Sequence, residues 1–133
     1  MPGFYDHRRK MPLIEQDLLF LGVSAEQIAA LPLCAGLAVS TSFASTLGAA
    51  YVLEGSTLGG QILSRHFAES LGLRSDTGAA YLNGYREETG RMWREFVQML
   101  ESFAALTAVQ DEIVAGAELA FSKVHAWLIE GHD

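Results

Sequence analysis

GAAYVLEGSTLGGQILSRH, Gly48 to His66, decides how the chain folds. It is an apolar helical pattern carrying four glycines, Gly48, Gly55, Gly59 and Gly60. Tyr51, Gly55, Gly59 and Ile62 recur at i, i+4, i+8 and i+11, the stripe of one helix face. Leu47, Leu53, Leu58 and Leu63 supply apolar surface around it. A glycine inside a helix costs about 1 kcal/mol relative to alanine, so Gly55, Gly59 and Gly60 together cost roughly 3 kcal/mol. Two uses would offset that weakness. Missing side chains let a flat or bulky ligand lie against the backbone, or let another helix pack closely. They also let the helix bend over whatever lies beneath it.

Outward from this stretch, the central helix is predicted to start near Thr41 or Ser42 and to end at Leu71, with Gly72 as its C-cap. At 1.5 Å per residue it would be about 45 Å long if straight, so a bend at the glycine cluster is expected. Upstream, Pro12 suits the first turn of a helix through Leu13, Leu18, Leu19 and Leu21, ending at Gly22. Ser24 followed by Gln27 is a capping-box signature for a short helix from Ala25 that stops before Pro32. Leu31 to Ser40 reads as a connection, punctuated by Pro32 and Gly36. Downstream, Ser75 to Thr77 can open a short helix through Ala79 to Leu82, weakened by Gly84. The next helix is predicted over Thr89 to Ala104, with Met92, Phe96, Leu100 and Phe103 inward. Thr107 with Gln110 forms a second capping-box pattern, opening a last helix to Glu130. Its inward face is expected to hold Ile113, Leu119, Phe121, Val124 and Leu128, with the Trp127 indole partly buried. No segment alternates with period two, so the chain reads as all-α.

A length of 133 residues fits one domain, residues 1–133, with residues 1–11 as a loose lead-in. Half the residues are apolar, so the chain is globular and not disordered. No apolar run is long enough for a membrane span and no signal peptide is visible, so no membrane association is expected. The single cysteine, Cys34, excludes an intramolecular disulfide framework, and a cytoplasmic home is the simplest expectation. The net charge of −7 argues against nucleic-acid binding. Arg8, Arg9 and Lys10 form the one basic cluster. It reads first as a solvated terminus and second as a docking point for an anion or an acidic partner.

Several chemistries lack their motifs. There is no phosphate loop, dinucleotide fingerprint, CxxC pair or HExxH zinc site. Glu87–Glu88 adjoins no spaced histidine, so the ExxH pattern of di-iron bundles is absent. Nothing arranges Ser, His and Asp as a triad. The residues alone lead to a helical domain with a glycine-opened surface.

The central string goes further. Leu47–Gly48, the run Tyr51-Val52-Leu53-Glu54-Gly55-Ser56-Thr57-Leu58-Gly59-Gly60-Gln61, and Arg65–His66 resemble the distal helix of haem oxygenases, in particular the bacterial, phytochrome-associated type that makes biliverdin. Arg8-Arg9-Lys10, Pro12–Leu13, Asp17–Leu18, Leu21–Gly22, Leu31–Pro32 and Cys34 fit the upstream segments. Gly84–Tyr85, Gly90, Met92-Trp93-Arg94, Phe96 and Trp127–Leu128 fit the downstream helices. The resemblance covers nearly the whole chain and implies a haem-oxygenase-like multi-helix bundle whose long, glycine-kinked central helix is the distal helix.

In that family haem is both substrate and cofactor, held between a proximal and a distal helix, with one proximal histidine on the iron. Oxygen and electrons from a partner, a reductase or a ferredoxin, convert it to biliverdin, carbon monoxide and iron. The resemblance therefore implies catalytic roles for Gly55, Ser56 and Gly59, and haem contacts by Tyr51, Gly55, Gly59 and Gly60. A side chain at Gly55 or Gly59 would collide with haem or its bound oxygen. Ser56 matches the position where animal members carry an aspartate that orders water, and its hydroxyl can donate and accept. Arg91 and Arg94 are the nearest candidates to meet the haem propionates.

One departure accompanies the resemblance. In relatives, the helix with the proximal histidine precedes the segment that matches Arg8 onward, and only seven residues precede Arg8 here. The chain therefore reads as a member that begins late, and none of its four histidines falls at the proximal position. His7 and His66 are the substitutes it offers. His66 lies on the glycine face, eleven residues beyond Gly55 and roughly 16 Å along the axis, too far to ligate iron above Gly55 unless the haem shifts. The apolar groove that the proximal helix would fill predicts a homodimer, or recruitment of another helix, through that surface. The leading expectation is haem binding and oxidative haem cleavage, weakened or lost unless His7 or another chain supplies the ligand. The alternative is a non-catalytic helical module that binds a partner protein or a tetrapyrrole.

Overall fold

The computed structural model describes residues 3–37 and 42–130. Among these residues there are six α-helices and two 3₁₀ turns, and no β-strand. Isolated bridges join Arg74 to Thr77 and to Gly78. The all-α expectation holds. Two compact units divide the chain, residues 1–31 with 57–89 and residues 32–56 with 90–133. The longest helix, α3 (Phe43–Leu71), contributes residues to both.

In the first unit, a 3₁₀ turn (Asp6–Arg8) leads into α1 (Met11–Phe20), with Pro12 in its first turn. There Pro lacks only an N–H that the helix would leave unbonded. Gly22 ends α1 at φ +92°, and the Val23 N–H reaches back to the Leu18 carbonyl. The basic cluster of Arg8, Arg9 and Lys10 is not simply solvated. Arg8 is buried, with its guanidinium 4.4 Å from the Phe4 ring centre and 5.9 Å from that of Tyr85. Lys10 Nζ donates to the Tyr85 hydroxyl at 3.2 Å and to the Arg8 carbonyl at 3.3 Å. Cation–π attraction and these hydrogen bonds compensate for the lost hydration. Only Arg9 of the three stays exposed.

The short helix α2 (Ala25–Ala29) carries the predicted capping box, with both reciprocal hydrogen bonds present. Helix α4 (Ala80–Asn83) also forms, but its cap is not local. The buried Asp17 carboxylate of α1 accepts the Ala80 and Tyr81 N–H bonds. Ser75 to Thr77 instead build the turn before α4, where the Arg74 N–H donates to the Thr77 hydroxyl. At the other end of α4, Gly84 takes φ +52°.

In the second unit, Ser42 caps α3 by accepting the Ser45 N–H at 3.1 Å. The alternative start at Thr41 lies outside the described residues. Helix α5 (Thr89–Thr107) opens after a 3₁₀ turn (Arg86–Glu88), and α6 (Gln110–Glu130) closes the described chain. Phe96 is buried as predicted, with 1% of its surface exposed, which stabilises the fold by about 2–3 kcal/mol. The Phe43 and Phe103 rings meet edge to face at 5.1 Å.

Helices α3 and α6 touch through their backbones. A β-carbon at Gly48 would lie 2.0 Å from the Ile113 carbonyl oxygen, and one at Gly116 2.2 Å from that of Ser45. This crossing selects the inward face of α6, which is Ile113, Gly116 and Ala120. Leu119, Phe121 and Leu128, expected inward, are exposed. At about 100° per residue, Phe121 and Leu128 fall about 80° and 60° to one side of Ile113, and Leu119 about 120° to the other. Glycines sit at the two closest approaches, Gly48 against Ile113 and Gly116 against Ser45, because the backbones are so close there.

The second capping box does not form. Helix α5 continues past Ala104 to Thr107, whose hydroxyl donates to the Phe103 carbonyl in its own last turn. Gln110 instead donates to the Ala104 carbonyl. Ala108 turns the chain at φ +52° between the helices.

Candidate functional site

Helix α3 is one unbroken α-helix through all of its glycines, and it ends at Gly72 as predicted. There the Gly72 N–H reaches the Ala68 carbonyl and the Leu73 N–H the Phe67 carbonyl. Its first turns bury Ala44, Leu47 and Gly48, but from Ala50 onward its amphipathicity is inverted. The buried positions there are Ala50, Glu54, Thr57, Gly60 and Ser64, all small or polar. The exposed positions include Tyr51, Leu53, Leu58, Ile62 and Leu63, all large and apolar or aromatic. A surface helix ordinarily does the opposite.

The glycines of this helix separate into two kinds. Gly59 is exposed, and a β-carbon there would meet nothing within 4 Å. Gly60 is buried, and a β-carbon there would lie 2.7 Å from the Leu82 carbonyl oxygen of α4. Its missing side chain admits the backbone of α4. Gly55 is intermediate. A β-carbon there would rest 3.5 Å from the Trp93 indole, an ordinary contact.

Trp93 of α5 is the residue that sequence reasoning left without a role here. Its ring lies 5.3 Å from Tyr51 and 6.2 Å from Phe96, nearly parallel to the latter. Tyr51, Trp93 and Phe96 thus form an aromatic cluster beside Gly55. The i, i+3 spacing of Trp93 and Phe96 was the available signal, but it does not say which helix they face.

The polar candidates are placed as follows. Ser56 is exposed, and its hydroxyl donates to the Leu53 carbonyl at 2.7 Å, leaving the oxygen free to accept. Arg91 pairs with Glu95 one turn on. Arg94 is exposed, and its guanidinium lies back toward Gly90. His66 is exposed beside the Phe67 ring, and His7 is exposed in the first 3₁₀ turn. His125 is exposed on α6, and His132 lies outside the described residues. No group of three His, Cys, Asp or Glu able to hold a metal ion occurs among the described residues. No helix among them is long and apolar enough to cross a membrane.

The heme oxygenase family model matches residues 14–130. This chain belongs to the heme oxygenase family. A heme oxygenase of Xanthomonas campestris pv. campestris (strain 8004) is 32% identical to it over 127 residues, covering 93% of this chain and 70% of that protein. No solved structure matches the chain. Within the heme oxygenase family framework, the inverted face of α3 becomes intelligible. At Gly59 the backbone of α3 is open, and the exposed Leu58, Ile62 and Leu63 flank it.

Proposed function

We propose that this chain binds haem against the α3 face marked by Tyr51, Gly55, Gly59 and Ile62 and acts in its oxidative cleavage to biliverdin, carbon monoxide and iron. The observation that carries the reading is the open backbone at Gly59 amid exposed Leu58, Ile62 and Leu63. A flat, mostly apolar macrocycle fits such a surface, since it removes those side chains from water while approaching the helix closely. Haem, when bound, supplies the iron at which oxygen is reduced. The chain's own residues position it and keep water in order.

Gly59 sets the closest approach. Tyr51, backed by Trp93, offers an aromatic edge to the ring. Ser56 accepts a hydrogen bond from water through the lone pairs not engaged with Leu53. Arg94 meets a propionate directly, whereas Arg91 does so only by leaving Glu95. His66 follows Gly59 by seven residues, about 20° around the helix and roughly 10 Å along it, so it is an axial candidate only for a haem displaced toward the C-terminal end of α3. His7 is the second candidate. Electrons come from a reductase or a ferredoxin.

The test is a haemin titration of the chain followed by its Soret band, with Gly59→Leu, His66→Ala and His7→Ala. The reading expects one-to-one binding that Gly59→Leu weakens at least about tenfold, and a Soret shift in one histidine variant. Biliverdin formation with ascorbate should follow the same order. Binding indifferent to Gly59→Leu would refute the placement.

A further inference from the structure

The side of α3 turned away from Gly59 carries a second, polar site in the first unit. Gln61, Ser64 and Arg65 lie about 120–160° around the helix from Gly59. They line a concave surface of about 400 Å³ together with Ser75, Asn83 and Arg86. Glu87 is the one acidic residue in its lining. Every lining side chain is polar or charged, unlike the apolar face on which Gly59 lies.

Arg86 is the informative residue. It holds φ +54°, a left-handed conformation that glycine or asparagine adopts far more readily. Three donors converge on its carbonyl and hold it there. They are the Gln61 side-chain amide at 3.2 Å, the Thr89 hydroxyl at 2.8 Å and the Thr89 N–H. Thr89 is itself wholly buried. An arginine fixed in a conformation unfavourable to it is a constraint of the kind that clusters at ligand clamps.

The remaining groups are matched to an anion. Arg65 Nε reaches its own helix at the Gln61 carbonyl, which leaves its terminal nitrogens to the concavity. Neither Arg65 nor Arg86 is in an ion pair among the described residues. Asn83 uses one amide hydrogen on the Ala79 carbonyl and keeps the other, and the Ser75 hydroxyl adds a neutral donor. Ser64 commits its proton to the Gln61 carbonyl and so donates nothing to a ligand. Two guanidinium groups against one carboxylate leave a local excess of positive charge in a chain whose net charge is −7.

We infer that this concavity is a binding site for a small, multiply charged oxyanion, a carboxylate or phosphate compound clamped by Arg65 and Arg86. Guanidinium groups bind both anions in paired hydrogen bonds, so the two share one recognition chemistry. The inference is independent of haem binding, because it uses the opposite side of the helix.

Calorimetric titration of the full chain with sodium phosphate and with disodium succinate, at ionic strength held constant by sodium chloride, tests it. Arg86→Gly suits the backbone at φ +54° and removes the guanidinium without straining the turn. Arg65→Gln removes the other, and Arg74→Gln is a charge-matched control outside the site. The expected result is saturable one-to-one binding of at least one anion, weakened about tenfold or more by Arg86→Gly and by Arg65→Gln and unchanged by Arg74→Gln. The anion that saturates identifies the ligand class. Absence of saturation by both anions, or equal loss in Arg74→Gln, would overturn the inference.

Discussion

Asp17 Oδ1 accepts the Ala80 N–H at 2.7 Å, across 63 positions of sequence. Its second oxygen accepts the Tyr81 N–H at 2.9 Å, so one buried carboxylate of α1 satisfies the open N-terminus of α4. The negative charge also sits at the positive end of that short helix. Asp17→Ala should lower the unfolding free energy by about 2–3 kcal/mol, the scale of charge-assisted bonds to buried amides. Urea denaturation checks this. A loss no larger than that of an exposed control such as Glu15→Ala would show that water replaces the carboxylate without cost.

Adjacent glycines of α3 should answer oppositely to the same substitution. Gly59→Ala adds a methyl to open space and should stabilise the helix by up to about 1 kcal/mol. Gly60→Ala drives a methyl into the Leu82 carbonyl and should cost about 1–3 kcal/mol. Thermal melts of the two variants measured together decide it, and equal shifts would contradict the division.

Gly48 and Gly116 should be the least replaceable glycines. Their β-carbons would lie 2.0 and 2.2 Å from backbone oxygens, which no rotamer change can relieve. Alanine at either should cost about 3 kcal/mol or more, the upper range of overpacking. Near-native denaturation midpoints for both variants would show that α3 and α6 can part without loss.

Glu26 should titrate below its usual value of 4.5, because its own backbone N–H and then the Ser24 hydroxyl hydrogen-bond the carboxylate. A lowered folded-state pKa contributes stability that is present above 4.5 and lost as pH falls through the lowered value. Carbon-detected NMR should place the Glu26 midpoint below 4.5, and Ser24→Ala should move it back up. A midpoint unmoved by Ser24→Ala would remove the hydroxyl from the account.

The order of elements was legible because its signals are local. Pro12, the Ser24–Gln27 pair and Gly72 each act within one turn of their own helix, and each does what its chemistry predicts. The central glycine string identified the family for the same reason. What was not legible depends on distant partners. Thr107 and Gln110 have the right spacing for a cap but find nearer carbonyls in the last turns of α5. Leu119, Phe121 and Leu128 are apolar enough for a core, but the Gly116–Ser45 crossing turns them outward. The separate duties of Gly59 and Gly60 follow from which one faces Leu82, and two adjacent glycines look alike in a string. Arg8 reads as a charged tail until Phe4 and Tyr85 are seen around it.

The inverted helix α3 bears on how much of this protein a cell holds. From Tyr51 onward most of its large apolar side chains meet water, so a ligand that covered that face would add hydrophobic stabilisation that the unliganded chain forgoes. A ligand that binds the native chain and not the unfolded one adds stability with the logarithm of its concentration. A gain of only 1–2 kcal/mol changes steady-state levels roughly several-fold, through slower proteolysis and aggregation. Haem supply would then set the lifetime of the polypeptide as well as the occupancy of its site.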